Sequence, residues 1–320
     1  MAVTSPASAS ALDRRAAPAA GATERCTHRA WRHRFACFHV FATLVLLVAG
    51  AAVTSNDAGL SVSDWPSSLG FFNPLAVHLR GLMHGLVAIE HGHREIGMVV
   101  GLFTIVETTW FWITATRCAH RVLGVTLLAA VIVQGTLGGL TVKLHLPPAV
   151  SVAHGMLAQS FFCLSIATAW LLSGEFAATA PGMAEAAPPA LRRAAFVAMG
   201  AVYLQLLFGA IVRHTVAKWR VPEFSDLPVV LHAAFAVAVV AAIGSVVARV
   251  VSSTSAPRFA RPAFALGALV IVQAVLGVVA IVTRTDPLVT VVHVVTGATI
   301  LATALLLVLR AYRAPVKTPS

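Results

Sequence analysis

The sequence predicts an all-α, polytopic membrane protein of eight transmembrane helices, arranged as two pseudo-symmetric four-helix bundles. Of its 320 residues, 58% are hydrophobic and only 11% are charged, whereas charged residues make up about a quarter of a soluble domain. Apolar runs of about 20 residues, the length that crosses a bilayer as a helix, recur eight times. Features of the first half also return in the second half at a constant offset, which indicates a duplication.

The eight apolar segments divide the chain into two halves of four helices each. They lie at 36–54, 86–115, 121–142, 148–173, 194–214, 227–249, 261–283 and 287–311. The Ala-, Ser-, Pro- and Arg-rich stretch 1–35 is expected to be a disordered basic tail. The Pro- and Ala-rich stretch 176–193 is expected to be a linker between the halves 36–175 and 194–313, and 314–320 a short second tail.

The net charge of +11 comes from basic residues in the connections. Of 23 Lys and Arg residues, 16 lie in the terminal segments and in every second connection, six lie in the other connections, and Arg94 lies inside a helix. By the positive-inside rule, both termini face the cytoplasm and the chain is a multi-pass protein of the cell (inner) membrane. The positive charge is therefore explained by topology in the lipid bilayer, and we expect no nucleic-acid partner.

Four histidines occupy matched positions in the two halves. His232 lies 139 residues after His93, and His293 lies 139 residues after His154. Each stands in the outer part of an apolar segment, and neutral imidazoles on facing helices are a common way to hold haem iron in a helical bundle. We therefore predict two bis-histidine haem sites, one formed by His93 with His154 and the other by His232 with His293.

Other interpretations of these histidines remain open. A single intramembrane imidazole can be a buried group bonded to a neighbouring carbonyl. A zinc site would need a third protein ligand, and a carboxylate is close in sequence only to His93. We expect the remaining histidines to be surface groups, except that His91 could line the first site. Glu95 and Glu107 point elsewhere on their helix and are given no role.

The short motif around His93 contains two charged residues on the same helix face. Glu90, His93 and Arg94 are separated by three and four positions. An unpaired charge near lipid costs roughly 2.5–3.5 kcal/mol, so Glu90 and Arg94 must pair with each other or meet a polar ligand. The offset of 139 leads from them to Val229 and Ala233. The N-terminal half is therefore the predicted catalytic half, with Glu90 as proton acceptor or positioning group and Arg94 orienting it.

Further polar residues recur near the histidines. Gln134, Gln205 and Gln273 each precede a glycine by four residues, which places an amide and a gap on one helix face. Hydrogen bonding between helices is the main interpretation of these amides, and haem contact is the second. Arg213 and Arg284 stand at the outer ends of the fifth and seventh segments. They are candidate contacts for the haem propionates of the second site, with anchoring at the membrane interface as an equal alternative.

Five short motifs carry a resemblance to a known family. They are Thr54–Ser61, Asp64–Pro66, Glu90–Arg94, Gln134–Thr141 and Pro147–His154. In combination they resemble haem A synthase, the family that converts haem O to haem A for cytochrome oxidase, over about residues 36–311. The family's Glu-x-x-His-Arg motif corresponds to Glu90, His93 and Arg94, and its other helix-borne histidines correspond to His154, His232 and His293.

The resemblance implies an activity, a cofactor and partners. The C-terminal half would bind haem b as cofactor, and the N-terminal half would bind haem O, whose C8 methyl group is oxidised to a formyl group by successive hydroxylations. Haem O synthase and the cytochrome oxidase assembly machinery are the implied protein partners, while the electron acceptor is not indicated. The chain lacks the cysteine pair that some members carry in the first outer loop, so a thiol-dependent step is not expected here.

Two other functions compete with this interpretation. A di-haem, b-type electron carrier would use the same four histidines without changing a haem. A transporter would also be consistent with repeated halves and intramembrane polar residues. The outer level of the histidines and the absence of Gly- or Pro-broken helices at the midplane disfavour the transporter.

Overall fold

The computed structural model describes residues 20–114, 118–178, 187–218, 221–223, 225–252 and 257–313. Within these ranges the chain forms ten α-helices and no β-strand. The helices are α1 (Ala20–Ser55), α2 (Pro74–Leu79), α3 (Gly85–Thr114), α4 (Cys118–Lys143), α5 (Pro148–Leu172), α6 (Gly174–Ala178), α7 (Pro189–Ile211), α8 (Leu227–Val251), α9 (Pro257–Val282) and α10 (Pro287–Arg313). A short π-helical turn, Val212–Val216, extends α7.

In this part of the chain, eight helices are long and apolar enough to cross a membrane, which confirms the predicted number. They are α1, α3, α4, α5, α7, α8, α9 and α10. Their outward faces expose large apolar side chains, such as Val237 at 70% and Ile271 at 66% exposure. Such a surface is stable when it faces lipid.

The ends of the halves differ from the prediction. The first helix begins at Ala20, so residues 20–35 continue the first span, although they were predicted to be a disordered tail. Ala, Glu and Arg in this stretch favour helix, and a helix already formed by the span propagates at little further cost. The predicted linker contains the short helix α6 and the start of α7. Residues 1–19 and 314–320, both predicted tails, lie outside the described residues.

Both halves reverse direction after their third span with the same backbone turn. His145 and Leu146 follow α4 with φ of 60°, and Arg284 and Thr285 follow α9 with φ of 54° and 64°. In each pair the second residue donates its N–H to the carbonyl five residues earlier, at 2.7 Å in both turns. The two turns lie 139 residues apart, so the duplication is visible in the backbone as well as in the sequence.

The long helices form two closed four-helix bundles. Helices α1, α3, α4 and α5 contact one another in a ring, and α7, α8, α9 and α10 do the same. The bundles meet through α5 against α10, flanked by α1 against α10 and by α5 against α7. Exchanging α1 with α7 and α5 with α10 leaves this set of contacts unchanged. The arrangement confirms two pseudo-symmetric bundles.

Apolar packing fills the contact between the bundles and the C-terminal bundle beyond its histidines. Phe162 and Ile166 of α5 pack against Ala298 and Ala302 of α10. A larger buried cluster in the C-terminal bundle includes residues such as Val202, Ile243, Leu266 and Leu301. A hydrogen bond of 2.8 Å between Ser160 Oγ and Tyr203 Oη also joins α5 to α7.

Charged residues join the halves at both ends of the bundles. Arg310 of α10 makes a bidentate contact with Glu175 of α6, at 2.7 and 2.9 Å. At the other end, Nη2 of Arg213 donates to the carbonyl of Thr54 and to Oδ1 of Asp57, the latter at 3.0 Å. The loop after α1 is thus attached to the C-terminal half.

Candidate functional site

The C-terminal histidines face each other across their bundle. His232 lies on α8 and His293 on α10, and their ring centroids are 6.5 Å apart with an interplanar angle of 70°. Two trans metal–nitrogen bonds of about 2 Å, extended by the ring radii, require a centroid separation of roughly 6 Å. The two rings are therefore spaced to bind a single iron atom between them.

The N-terminal histidines are the corresponding pair of the other bundle. His93 lies on α3 and His154 on α5, close enough for the two rings to interact electrostatically. Among the described residues, Nδ1 of each ring is buried without a hydrogen-bond partner. The backbone of Leu46 lies within interaction range of His93, and that of Gln134 within range of His154. An imidazole that turns one nitrogen toward a carbonyl presents the other nitrogen to a metal.

A glycine on the preceding long helix receives each of the four rings. A Cβ atom placed on the glycine would lie 3.1 to 3.3 Å from the Cε1 atom of its histidine, tighter than ordinary contact. The pairs are Gly50 with His93, Gly138 with His154, Gly209 with His232 and Gly277 with His293. Each glycine is therefore a notch, and a larger residue would push the ring toward the bundle axis.

Two of the three predicted interhelical glutamines contact the histidines of the C-terminal half. Nε2 of Gln205 lies 3.1 Å from Nδ1 of His232 and donates to its backbone carbonyl at 2.9 Å. Nε2 of Gln273 lies 3.2 Å from Nε2 of His293. These contacts confirm the expected hydrogen bonds between helices for Gln205 and Gln273. They also hold the two rings in place from a neighbouring helix.

Glu90 and Arg94 form the ion pair that was one of the two interpretations of the motif, and they also bind the outer loop. Oε1 of Glu90 accepts from Nη2 of Arg94 at 2.6 Å, and Oε2 accepts the N–H of Val62 at 2.7 Å. Arg94 donates to the carbonyls of Val62, Asp64 and Ser67 at 2.6, 2.7 and 3.1 Å. Glu90 is only 3% exposed. The pair therefore fixes residues 62–67 next to the first histidine pair.

The loop is stiffened further by Asp64. Its carboxylate accepts hydrogen bonds from the Ser67 hydroxyl at 2.6 Å and from the N–H groups of Leu69 and Gly70 at 2.7 and 2.9 Å. Burial alone would raise the pKa of Asp64, but these hydrogen bonds outweigh it and lower the pKa to about 2. The carboxylate is therefore charged, and the loop ordered by it, at any physiological pH.

A buried polar pair in the N-terminal bundle was not predicted. Nδ1 of His39 lies 2.8 Å from Oε2 of Glu107, and the two residues are 1% and 3% exposed. The expectation that His39 is a surface group was wrong, because α1 extends in both directions past it and packs on α3. A carboxylate inside an apolar run signals a partner. That partner, 68 positions away, could not be identified from local spacing.

The two arginines proposed for propionate contacts have different surroundings. Arg213 binds the loop of the N-terminal half through Nη2, while its Nε is buried without a hydrogen-bond partner among the described residues. Arg284 is exposed in the turn after α9. The sequence did not indicate that Arg213 joins the two halves.

The fold and the two facing histidine pairs define a polytopic helical membrane protein built to bind metal centres in pairs of histidines. Its family follows from comparison with known proteins. The chain belongs to the cytochrome oxidase assembly protein family (COX15-CtaA), whose model matches residues 33–305. This confirms the resemblance drawn from the motifs.

Individual relatives show the same kinship over a shorter stretch. The chain is similar to the heme A synthases of Brucella ovis and Brucella abortus, with 27% identity over 150 residues, or 45% of this chain. It is similar to the heme A synthase of Brucella anthropi, with 24% identity over 139 residues, or 42% of this chain. The matches span 42% of the length of the first two relatives and 39% of the third.

Proposed function

We propose that this protein is a haem A synthase, an oxidoreductase that converts the C8 methyl group of haem O to a formyl group by successive hydroxylations. One observation carries the proposal: both halves present a histidine pair in glycine notches, but only the N-terminal pair has a charged pair, Glu90 and Arg94, on the same helix. Two binding sites of one construction with different surroundings suit one substrate site and one electron-transfer site. The names of the relatives and the family support the same activity.

In this proposal the four histidines hold two haems. His93 and His154 bind the iron of the substrate haem O, and His232 and His293 bind haem b. The bound haem iron supplies the redox chemistry. The protein contributes the notches that set the ring positions and, in the C-terminal half, the amides of Gln205 and Gln273, which restrict the rings.

Glu90 and Arg94 are the proposed catalytic residues of the N-terminal half. Oxidising a methyl group releases protons, and a buried carboxylate near the reacting carbon is suited to accept them. Arg94 holds Glu90 through Nη2 at 2.6 Å and keeps the loop 62–67 closed over the site. Water is thereby restricted around the reacting edge of the substrate.

Arg213 and Arg284 are the proposed contacts for the propionates of haem b. Arg213 can keep its bonds to Thr54 and Asp57 through Nη2 while its unpartnered Nε donates to a carboxylate. We further propose that the protein lies in the inner membrane with both termini in the cytoplasm. Haem O synthase is the proposed supplier of the substrate, and the cytochrome oxidase assembly machinery is the proposed receiver of haem A.

The proposal is tested by extracting haems from membranes of a host that makes haem O but no haem A. We expect haem A, identified by chromatography and mass spectrometry, only when this chain is expressed. A His93→Ala variant, expressed to the same level, should accumulate haem O. Two stably bound b-type haems with no haem A would instead identify a di-haem electron carrier.

A further inference from the structure

A second cluster of ligand-type side chains lies at the outer end of α3, outside the histidine pairs. It consists of His78 from the short loop helix α2 and of His91 and Glu95 from α3. Nε2 of His78 is 2.8 Å from Oε1 of Glu95, and Nε2 of His91 is 3.6 Å from the same oxygen. One ligand atom from each residue lies within 4.8 Å of the other two. We propose that these three side chains form a binding site for a divalent transition metal such as Zn²⁺.

His91 is the observation that points to a ligand. Its side chain is only 1% exposed, and neither ring nitrogen has a hydrogen-bond partner among the described residues. A buried imidazole without partners is unfavourable, because both nitrogens have lost water and gained nothing in return. The distance of 3.6 Å to Glu95 is too long for a hydrogen bond. A metal ion between the two residues would satisfy Nε2.

The spacing of the ligand atoms suits a small ion. Bonds of about 2.0–2.2 Å in a tetrahedral site put neighbouring ligand atoms about 3.3–3.6 Å apart. The observed separations of 2.8 and 3.6 Å bracket this range. His91 and Glu95 are four residues apart and thus share a helix face, as the paired ligands of helical metal sites do. His78 needs to move by only a fraction of an ångström.

The ligand set selects the class of metal. Two imidazoles and one carboxylate suit Zn²⁺, Co²⁺, Ni²⁺ or Cu²⁺, whereas Mg²⁺ and Ca²⁺ prefer sites made of oxygen alone. Three protein ligands leave one tetrahedral position for water. His78 and Glu95 are 43% and 29% exposed in their side chains, so the ion can enter from the outer face.

Metal binding would connect the loop helix α2 to α3. Residue His78 is the only one of the three ligands outside α3, so the bound ion would attach the loop to the bundle at a point away from the Glu90–Arg94 pair. This role needs neither haem nor catalysis. It therefore stands or falls separately from the proposed oxidation of haem O.

The test uses the full-length protein in detergent, with any affinity tag removed and metals stripped by a chelator. Zn²⁺ affinity is measured by calorimetry, and Co²⁺ binding is followed by its visible absorption. We expect one site per chain whose Zn²⁺ affinity falls on the order of 100-fold in His78→Ala and in Glu95→Gln. His84→Ala is the matched control, because His84 is an exposed histidine of the same loop outside the cluster. It should bind Zn²⁺ as the wild type does.

A second readout reports on the loop itself. Arg80 is exposed one residue after α2, so trypsin cleavage after Arg80 measures how often the loop detaches. Zn²⁺ should slow this cleavage in the wild type and in His84→Ala, but not in His78→Ala. If the His78→Ala/Glu95→Gln double variant bound Zn²⁺ as tightly as the wild type, the cluster would be an ion pair only and the proposal would be wrong.

Discussion

The glycine notches set the position of each histidine ring at the scale of single atoms. At Gly209 a Cβ would lie 3.1 Å from Cε1 of His232, whereas at Gly200, two and a half turns earlier on the same helix, a Cβ would meet no atom within 4 Å. The two positions therefore separate the effect of crowding the ring from the general effect of a larger side chain in α7.

We expect Gly209→Val to displace His232 and to weaken haem binding in the C-terminal half by about 10- to 100-fold, the usual effect of disturbing a ligand's support. Gly200→Val introduces the same β-branched side chain into the same helix and should keep the low-spin b-type spectrum. The absorbance of the purified variants per mole of protein measures both. Equal spectra would show that the notch does not control the ring.

Glu90 can be separated from its structural partners by a small change. Glu90→Gln keeps the shape of the side chain and one oxygen acceptor for Arg94 or Val62, but the amide cannot accept a proton. We expect haem A formation to fall by about 100-fold or more, while the haem b spectrum stays intact. Resistance of the outer loop to trypsin should also persist. Wild-type yields of haem A would leave Glu90 as a structural partner of Arg94 alone.

At the scale of helices, the His39–Glu107 pair connects α1 to α3 inside the N-terminal bundle. The aligned positions of the C-terminal bundle are Ala198 and Val246, both buried in its apolar cluster. The same architecture thus tolerates either a polar or an apolar pair at this contact.

Removing one partner of a buried pair leaves the other charge or dipole uncompensated. We expect His39→Ala to lower the free energy of unfolding by about 3–5 kcal/mol. The double variant His39→Ala/Glu107→Val copies the C-terminal bundle and should recover most of that loss. Unfolding by a denaturing detergent measures all three proteins. A double variant as unstable as the sum of both single changes would show that the residues are not coupled.

Asp64 gives the outer loop a defined dependence on pH. Its pKa is lowered to about 2 in the folded protein, against about 3.9 for an unperturbed aspartate. The stability from its hydrogen bonds is therefore fully present above about pH 4 and is lost as the pH falls through about 2. The difference in thermal midpoint between wild type and Asp64→Asn should follow this course. A difference that vanished already near pH 4 would contradict the assignment.

The whole molecule has a strong asymmetry of charge between alternate connections. With 16 basic residues on one side and six on the other, a reporter fused after Ser320 should be active only in the cytoplasm. A reporter inserted near Ser67 should be active only on the outside. The opposite pattern would reverse the orientation and place the histidine pairs near the cytoplasmic face.

The sequence predicted features that depend on local pattern and on repetition. Eight spans follow from runs of apolar residues, and the histidine pairs follow from an offset that needs no knowledge of packing. The start of α1 was wrong because helix propensity continues past the end of an apolar run. The contacts of His39 with Glu107, and of Arg213 with Asp57, join residues far apart in the chain. Only the packing of the bundles determines them.

The attachment of Arg213 limits how far the two halves can act as separable modules. The loop over the first histidine pair is held by Arg94 from its own half and by Arg213 from the other, and Nζ of Lys218 also donates to the carbonyl of Leu146 at 2.9 Å. An N-terminal half produced alone would keep its ligands but lose these anchors. The duplicated unit has thereby become dependent on its copy, and dividing the chain between α6 and α7 would test cooperation as well as folding.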